Sequence, residues 1–124
     1  MADTTLQAGD LFKAGRLEEA LAAANAAVKA APTDLGRRVL LAELLLASGN
    51  LERADVILDA AGQLDPSAAT VVAEFRQLLR AETARRQLYR DGRVPEFLGE
   101  PEPSLQASLA ALVALREGDA EAAA

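Results

Sequence analysis

The sequence predicts an all-α fold of antiparallel helix pairs, and three observations support that prediction. Hydrophobic residues make up 51% of the chain but aromatic residues only 3%, because most of the apolar content is Ala and Leu. Ala and Leu favour helices, whereas the β-branched and aromatic residues that strands prefer are few. Apolar residues also recur at helical spacing, and a set of landmark residues repeats at a constant interval.

The landmarks repeat at a 34-residue interval, which indicates an internal structural repeat. Four kinds of landmark share it, so a chance match of one short segment does not explain the pattern. The pairs are Gly15 with Gly49, Ala20 with Ala54, Ala27 with Ala61, and Pro32 with Pro66.

Each landmark suits a particular place in a helical hairpin. Gly is expected where a helix ends and the chain reverses, since that position favours a left-handed backbone. Ala20 and Ala54 are expected where two helices approach closely, because only a small side chain fits there. Pro32 and Pro66 are expected between hairpins, since Pro is tolerated in the first turn of a helix but not in its interior.

The periodic segments predict helices whose ends are uncertain by about 2–4 residues. We expect helices at about 3–14, 17–31, 34–48 and 51–63, a long fifth helix at about 66–90, and a final helix at about 104–116. We expect a single domain over 1–124, with repeats 1–34 and 35–68, a long helix and connector 66–103, and a final helical part 104–124.

This 34-residue helix–turn–helix pattern resembles the tetratricopeptide repeat over residues 1–68. The resemblance implies tetratricopeptide-like helical hairpin repeats in an α-α superhelix, with the long fifth helix and the C-terminal helix added. The sequence departs from the family pattern where large aromatic residues are usual on the first helix. Those positions hold Thr4 and Leu11 in the first repeat and Arg38 and Leu45 in the second, so we expect a thinner core.

Composition argues against an enzyme and against several classes of partner. The net charge of −6 makes nucleic acid an unlikely partner. Nucleophilic catalysis usually needs His or Cys, and the chain has neither. Glu96, Glu100 and Glu102 lie in the connector without a fixed ligand spacing, so we interpret them as a solvated acidic loop. We expect no cofactor, no metal, no membrane insertion, and cytoplasmic residence.

The segment after the long helix carries a more specific resemblance. It reads Gly92-Arg93-x-Pro95-x-Phe97-Leu98-Gly99-Glu100-Pro101, and together with the two repeats it is similar to the TagJ (ImpE) accessory family of bacterial type VI secretion. The resemblance implies a non-catalytic adaptor that binds a helix of the small contractile-sheath subunit. Members of that family continue into a second domain, so we expect this chain to be the N-terminal part of a longer protein.

Stacked helical hairpins leave a concave surface lined by the first helix of each repeat, where a partner helix or extended peptide can lie. Phe12, Val39 and Leu46 would anchor the apolar side of that partner. The alternative, that Phe12 and Leu46 only pack against neighbouring helices, stays open. The predicted protein-binding groove consists of Thr5, Phe12, Lys13, Val39, Glu43, Leu46, Gln77 and Arg80.

The long helix and its end carry six arginines against three acidic residues between positions 69 and 93. This strip either attracts an acidic partner or is neutralised by intrahelical pairs such as Glu82 with Arg86, and we favour the second interpretation. For the whole chain, the alternatives to the sheath adaptor are a generic tetratricopeptide scaffold in another complex and an enzyme, or a regulatory domain attached to one. The oligomeric state does not follow from the sequence.

Overall fold

The computed structural model describes the backbone of residues 4–124 and the side chains of residues 7–124. Within this range the chain forms α-helices and one 3₁₀ turn and no β-strand. The α-helices are α1 (Thr4–Lys13), α2 (Leu17–Ala30), α3 (Leu35–Ser48), α4 (Leu51–Leu64), α5 (Ala69–Asp91), α6 (Pro103–Arg116) and α7 (Ala120–Ala123). The all-α prediction is confirmed.

The long fifth helix differs from the expectation at its start. A 3₁₀ turn occupies Pro66–Ala68, and α5 begins only at Ala69. The Asp65 carboxylate accepts hydrogen bonds from the backbone N–H of Ser67 at 3.0 Å and from its hydroxyl at 2.6 Å. These bonds satisfy donors that an α-helix would leave unpaired in its first turn, so a tight turn precedes α5.

The described residues group into two compact units, one up to Arg80 and one from Ala81 onward. The boundary falls inside α5, and each unit is described separately below. The expectation of one domain over the whole chain stays a prediction.

The first unit contains two helical hairpins that share one core. Helix α1 packs on α2, α3 packs on α4, and α2 packs on α3, so the two hairpins lie side by side. Ala20 and Ala54, predicted at the close approaches, are completely buried. The centre of the core holds Leu41 and Leu58, the largest side chains that solvent hardly reaches. Small residues at matching places let the hairpins nest together, as the repeat predicts.

The two hairpins reverse with the same backbone geometry. Gly15 and Gly49 have φ angles of +77° and +88°. The N–H of Gly49 donates to the Leu46 carbonyl at 3.0 Å, and the N–H of Asn50 donates to the Leu45 carbonyl at 2.9 Å. Equivalent bonds close the turn at Gly15, so both α1 and α3 end in a left-handed cap.

We expect Gly49→Ala to lower the free energy of unfolding by about 1–2 kcal/mol, because an L side chain at this φ crowds its own carbonyl. Gly9→Ala on α1 is the matched control: a Cβ added at Gly9 meets nothing within 4 Å, and Ala suits a helix interior better than Gly. Urea unfolding followed by circular dichroism measures both variants. Equal stability of the two variants would contradict the left-handed reversal.

The second unit contains a reversal of the same kind. Between α6 and α7, Gly118 has a φ of +79°, and the N–H groups of Gly118 and Asp119 donate to the carbonyls of Leu115 and Ala114. The Asp119 carboxylate then accepts the N–H of Ala122 at 2.9 Å. The end of α6 and the start of α7 therefore have the same geometry as the end of α3 and the start of α4 around Gly49.

Candidate functional site

The first part of the predicted groove lies on α1. Phe12 is 48% exposed although it is a large apolar side chain, and Lys13 beside it is also exposed. The side chain of Thr5 lies outside the described residues. Because Phe12 lies on the surface of the two-hairpin unit, an apolar partner can reach it.

The second part of the predicted groove lies on α3, the first helix of the second repeat. Glu43 is exposed, whereas Val39 and Leu46 are half-buried. Leu46 packs partly against the shared core, so it contributes to folding and also presents apolar surface. We call the side of α1 and α3 that carries Phe12, Lys13, Val39, Glu43 and Leu46 the groove face.

Hydrogen bonds between the hairpins hold the orientation of these helices. The Arg37 Nη1 atom donates to the Ala27 carbonyl at 2.9 Å, which joins α3 to α2. The Arg53 Nη2 atom donates to the Asn25 amide oxygen at 2.6 Å, which joins α4 to α2. Both bonds link one repeat to the next, so they fix which sides of α3 are buried and leave the groove face outward.

The third part of the predicted groove lies on α5, where Gln77 and Arg80 are both exposed. Their exposure agrees with the predicted position of both residues on the surface of the groove. All eight groove positions stay a prediction.

Arg76 on the same helix has a structural role that the sequence pattern did not single out. Its Nε and Nη2 atoms donate to the two carboxylate oxygens of Asp55 on α4, at 2.7 and 3.1 Å, and its Nη1 atom lies 3.2 Å from Asp59 Oδ1. The hydrogen bonds from the Arg76 guanidinium hold the pKa of Asp55 below its ordinary value of 3.8. Such a two-pronged pair fixes geometry as well as charge, so Arg76 attaches α5 to α4.

Farther along α5, Glu82 pairs with two arginines of its own helix. Its carboxylate accepts two hydrogen bonds from Arg85, at 2.7 and 2.8 Å, and one from Arg86 at 3.1 Å. The Arg85 guanidinium also lies over the Tyr89 ring, 5.7 Å from its centre. The predicted pairing of Glu82 with Arg86 is thus confirmed, and much of the basic strip is engaged within the chain.

These pairs predict a pH effect on the stability of α5. Hydrogen bonds and charge from Arg85 and Arg86 lower the pKa of Glu82 from 4.5 to about 2. A group whose pKa is lower in the folded state stabilises the fold above its unfolded pKa, and this contribution disappears as the pH falls through the folded pKa. We expect the thermal unfolding midpoint to fall more steeply between about pH 4.5 and 2 in the wild type than in Glu82→Gln. Parallel circular dichroism melts at each pH make the comparison, and identical slopes would contradict the pairing.

Two other features bear on the kind of site present. Glu96, Glu100 and Glu102 are exposed in the connector. Among the described residues, no helix is both long enough and apolar enough to pass through a bilayer.

The interhelical contacts of Arg76, Arg37 and Asn25 were missed by sequence reasoning. From the sequence alone, charged and polar residues on a helix are interpreted as solvent-exposed, because the helix that packs against them is not known. One signal was present in the sequence. Asp55 and Asp59 lie four residues apart and therefore on one side of α4, where a single arginine can pair with both carboxylates.

Comparisons with known proteins agree with this architecture. A family profile described as the tetratricopeptide repeat matches residues 11–80. The chain is also 34% identical, over 116 residues, to the type VI secretion system accessory component TagJ of Pseudomonas aeruginosa. The match covers 94% of this chain and 41% of the relative, so the chain spans less than half of that protein's length.

Proposed function

Because the chain belongs to the tetratricopeptide repeat family, we propose that it is a non-catalytic adaptor of bacterial type VI secretion that binds a helix of the small contractile-sheath subunit. The observation that carries this proposal is the 34% identity to a type VI secretion accessory component over nearly the whole chain. The proposal includes action in the cytoplasm.

The exposed side chains of the groove face support the proposed binding of a partner helix. Tetratricopeptide hairpins bind protein segments with their first helices, and here those helices expose Phe12 and, in part, Val39 and Leu46. An amphipathic partner helix buries its apolar side on such residues, and charged residues at the edge set its orientation. Lys13 and Glu43 on the same face can serve that second purpose.

Co-purification tests the proposal directly. The 124-residue chain is mixed with the purified small sheath subunit and, separately, with the same subunit lacking the helix in question. We expect capture of the intact subunit only. Failure of the chain to bind the intact subunit would overturn the assignment and favour a tetratricopeptide scaffold of another complex.

A further inference from the structure

Gly9 lies in the interior of α1, which extends from Thr4 to Lys13. Glycine destabilises a helix interior relative to alanine, because its backbone loses more conformational freedom on folding. The backbone of Gly9 does not require glycine, since its φ lies outside the left-handed region that Gly15 and Gly49 occupy. The chain therefore carries an unfavourable residue at this point without a conformational reason.

Packing within the chain does not require glycine at this position either. A Cβ added at Gly9 would meet nothing within 4 Å in the described part of the chain. Other helical glycines differ in this respect. A Cβ at Gly62 would lie 3.4 Å from Val72 Cγ1, and a Cβ at Gly36 would lie 3.4 Å from an oxygen of Asp34. Gly9 thus leaves open space on α1 that no described neighbour fills.

This open space lies among the groove positions predicted on α1. Residues three and four apart share one side of a helix, and those neighbours of Gly9 are Thr5, Phe12 and Lys13. Ala8 is completely buried and marks the core side of α1. Gly9 is half-buried, and Phe12 is 48% exposed. The space above Gly9 therefore lies on the groove face, beside its largest exposed apolar side chain.

The same position carries a long side chain in the next two first helices. At the 34-residue spacing, Gly9 is equivalent to Glu43 on α3 and to Gln77 on α5. Both of those side chains are exposed. Among these three helices α1 alone has no side chain at this position, so the groove face has a notch on α1. We call this open space above Gly9, next to Phe12, the Gly9 notch.

We propose that the Gly9 notch admits a large apolar side chain of the partner helix, and that Lys13 pairs with an acidic residue about one turn away on that helix. Phe12 supplies apolar contact beside the notch, as an amphipathic partner helix requires. Lys13 is exposed and forms no ion pair within the described part of the chain, so a partner carboxylate is complementary to it. This inference deepens the proposed function and rests on it.

Gly9→Leu tests the notch, because the added side chain occupies the open space. We expect capture of the small sheath subunit, measured by titration, to weaken about tenfold or more, since an apolar side chain of the partner loses its site. The midpoint of urea unfolding should rise, because Leu suits a helix interior better than Gly. Weaker binding by a more stable protein excludes damage to the fold as the cause.

Gln7→Leu is the matched control. Gln7 is exposed and lies about 160° around α1 from Gly9, so the same side chain is added away from the groove face. Its affinity should equal that of the wild type. Lys13→Ala should weaken binding and reduce its dependence on salt, whereas Lys29→Ala, at an exposed position of α2, should do neither.

Two synthetic helical peptides test the notch without the natural partner. Both carry Leu at helical spacing and a Glu four residues from a central position, which is Phe in one peptide and Ala in the other. We expect the wild-type chain to bind the Phe peptide about tenfold more tightly than the Ala peptide. Gly9→Leu should bind the two peptides about equally, because the two changes act on one contact.

The outcomes separate this inference from the proposed function. Equal affinity of the wild-type chain for both peptides, an undiminished preference for Phe in Gly9→Leu, or a loss in Gln7→Leu as large as in Gly9→Leu would overturn the notch. Failure of the wild-type chain to capture the sheath subunit, with the peptide results as expected, would overturn only the identity of the partner.

Discussion

Leu41→Ala is expected to lower the free energy of unfolding by about 2–5 kcal/mol, the range for removing a large buried aliphatic side chain. Leu41 is 1% exposed and lies in the core shared by the two hairpins. Half of the 14 buried residues in this core are alanines, whose short side chains cannot extend to fill a cavity, so the loss should approach the upper half of that range. Chemical unfolding monitored by circular dichroism gives the value.

Leu78→Ala is the control for this prediction. It removes the same atoms from a side chain that is 64% exposed, and surface substitutions change stability by about 0.5 kcal/mol or less. A comparable loss in both variants would mean that the hairpins do not share the core described for Leu41.

The second large effect concerns binding. We expect the double substitution Phe12→Asp and Leu46→Asp to weaken capture of the small sheath subunit by about 100-fold or more, because two apolar contacts are lost and two charges must be desolvated. Leu46 also packs on the core, so the fold of the variant is verified by circular dichroism before its affinity is measured by titration.

A matched double variant on α4 distinguishes a local effect from a general effect of charge. Val56→Asp and Leu64→Asp introduce the same two charges at residues that are 66% and 47% exposed and lie off the groove face. Their affinity should remain close to that of the wild type. Unchanged affinity of the folded Phe12/Leu46 variant would place the binding surface elsewhere.

Local features of the chain could be predicted because their signals are short-range. The glycine reversals at Gly15 and Gly49, the buried Ala20 and Ala54, and the helix ends follow from turn chemistry and apolar periodicity within a few residues. A local cap also begins α3, where the carboxylate of Asp34 accepts the backbone N–H of Arg37 at 3.2 Å.

The candidate site was less accessible to sequence reasoning because it depends on how helices from different repeats are turned. Phe12, Lys13 and Glu43 are exposed as expected. The positions on α5 were extrapolated with a spacing of 34, which pairs buried Leu45 with buried Leu79 but also pairs buried Leu44 with exposed Leu78. The contacts of Val72 and Arg76 with α4 are visible only in the structure.

The amino-acid sequence by itself determined that this protein is a tandem of helical hairpins, since helix propensity, apolar period and the 34-residue landmarks all act locally and agree. Only the tertiary structure decided which residues of α5 contact α4. The orientation of a helix about its own axis is set by the packing and ion pairs it forms with the helix beside it, here the contacts of α5 with α4.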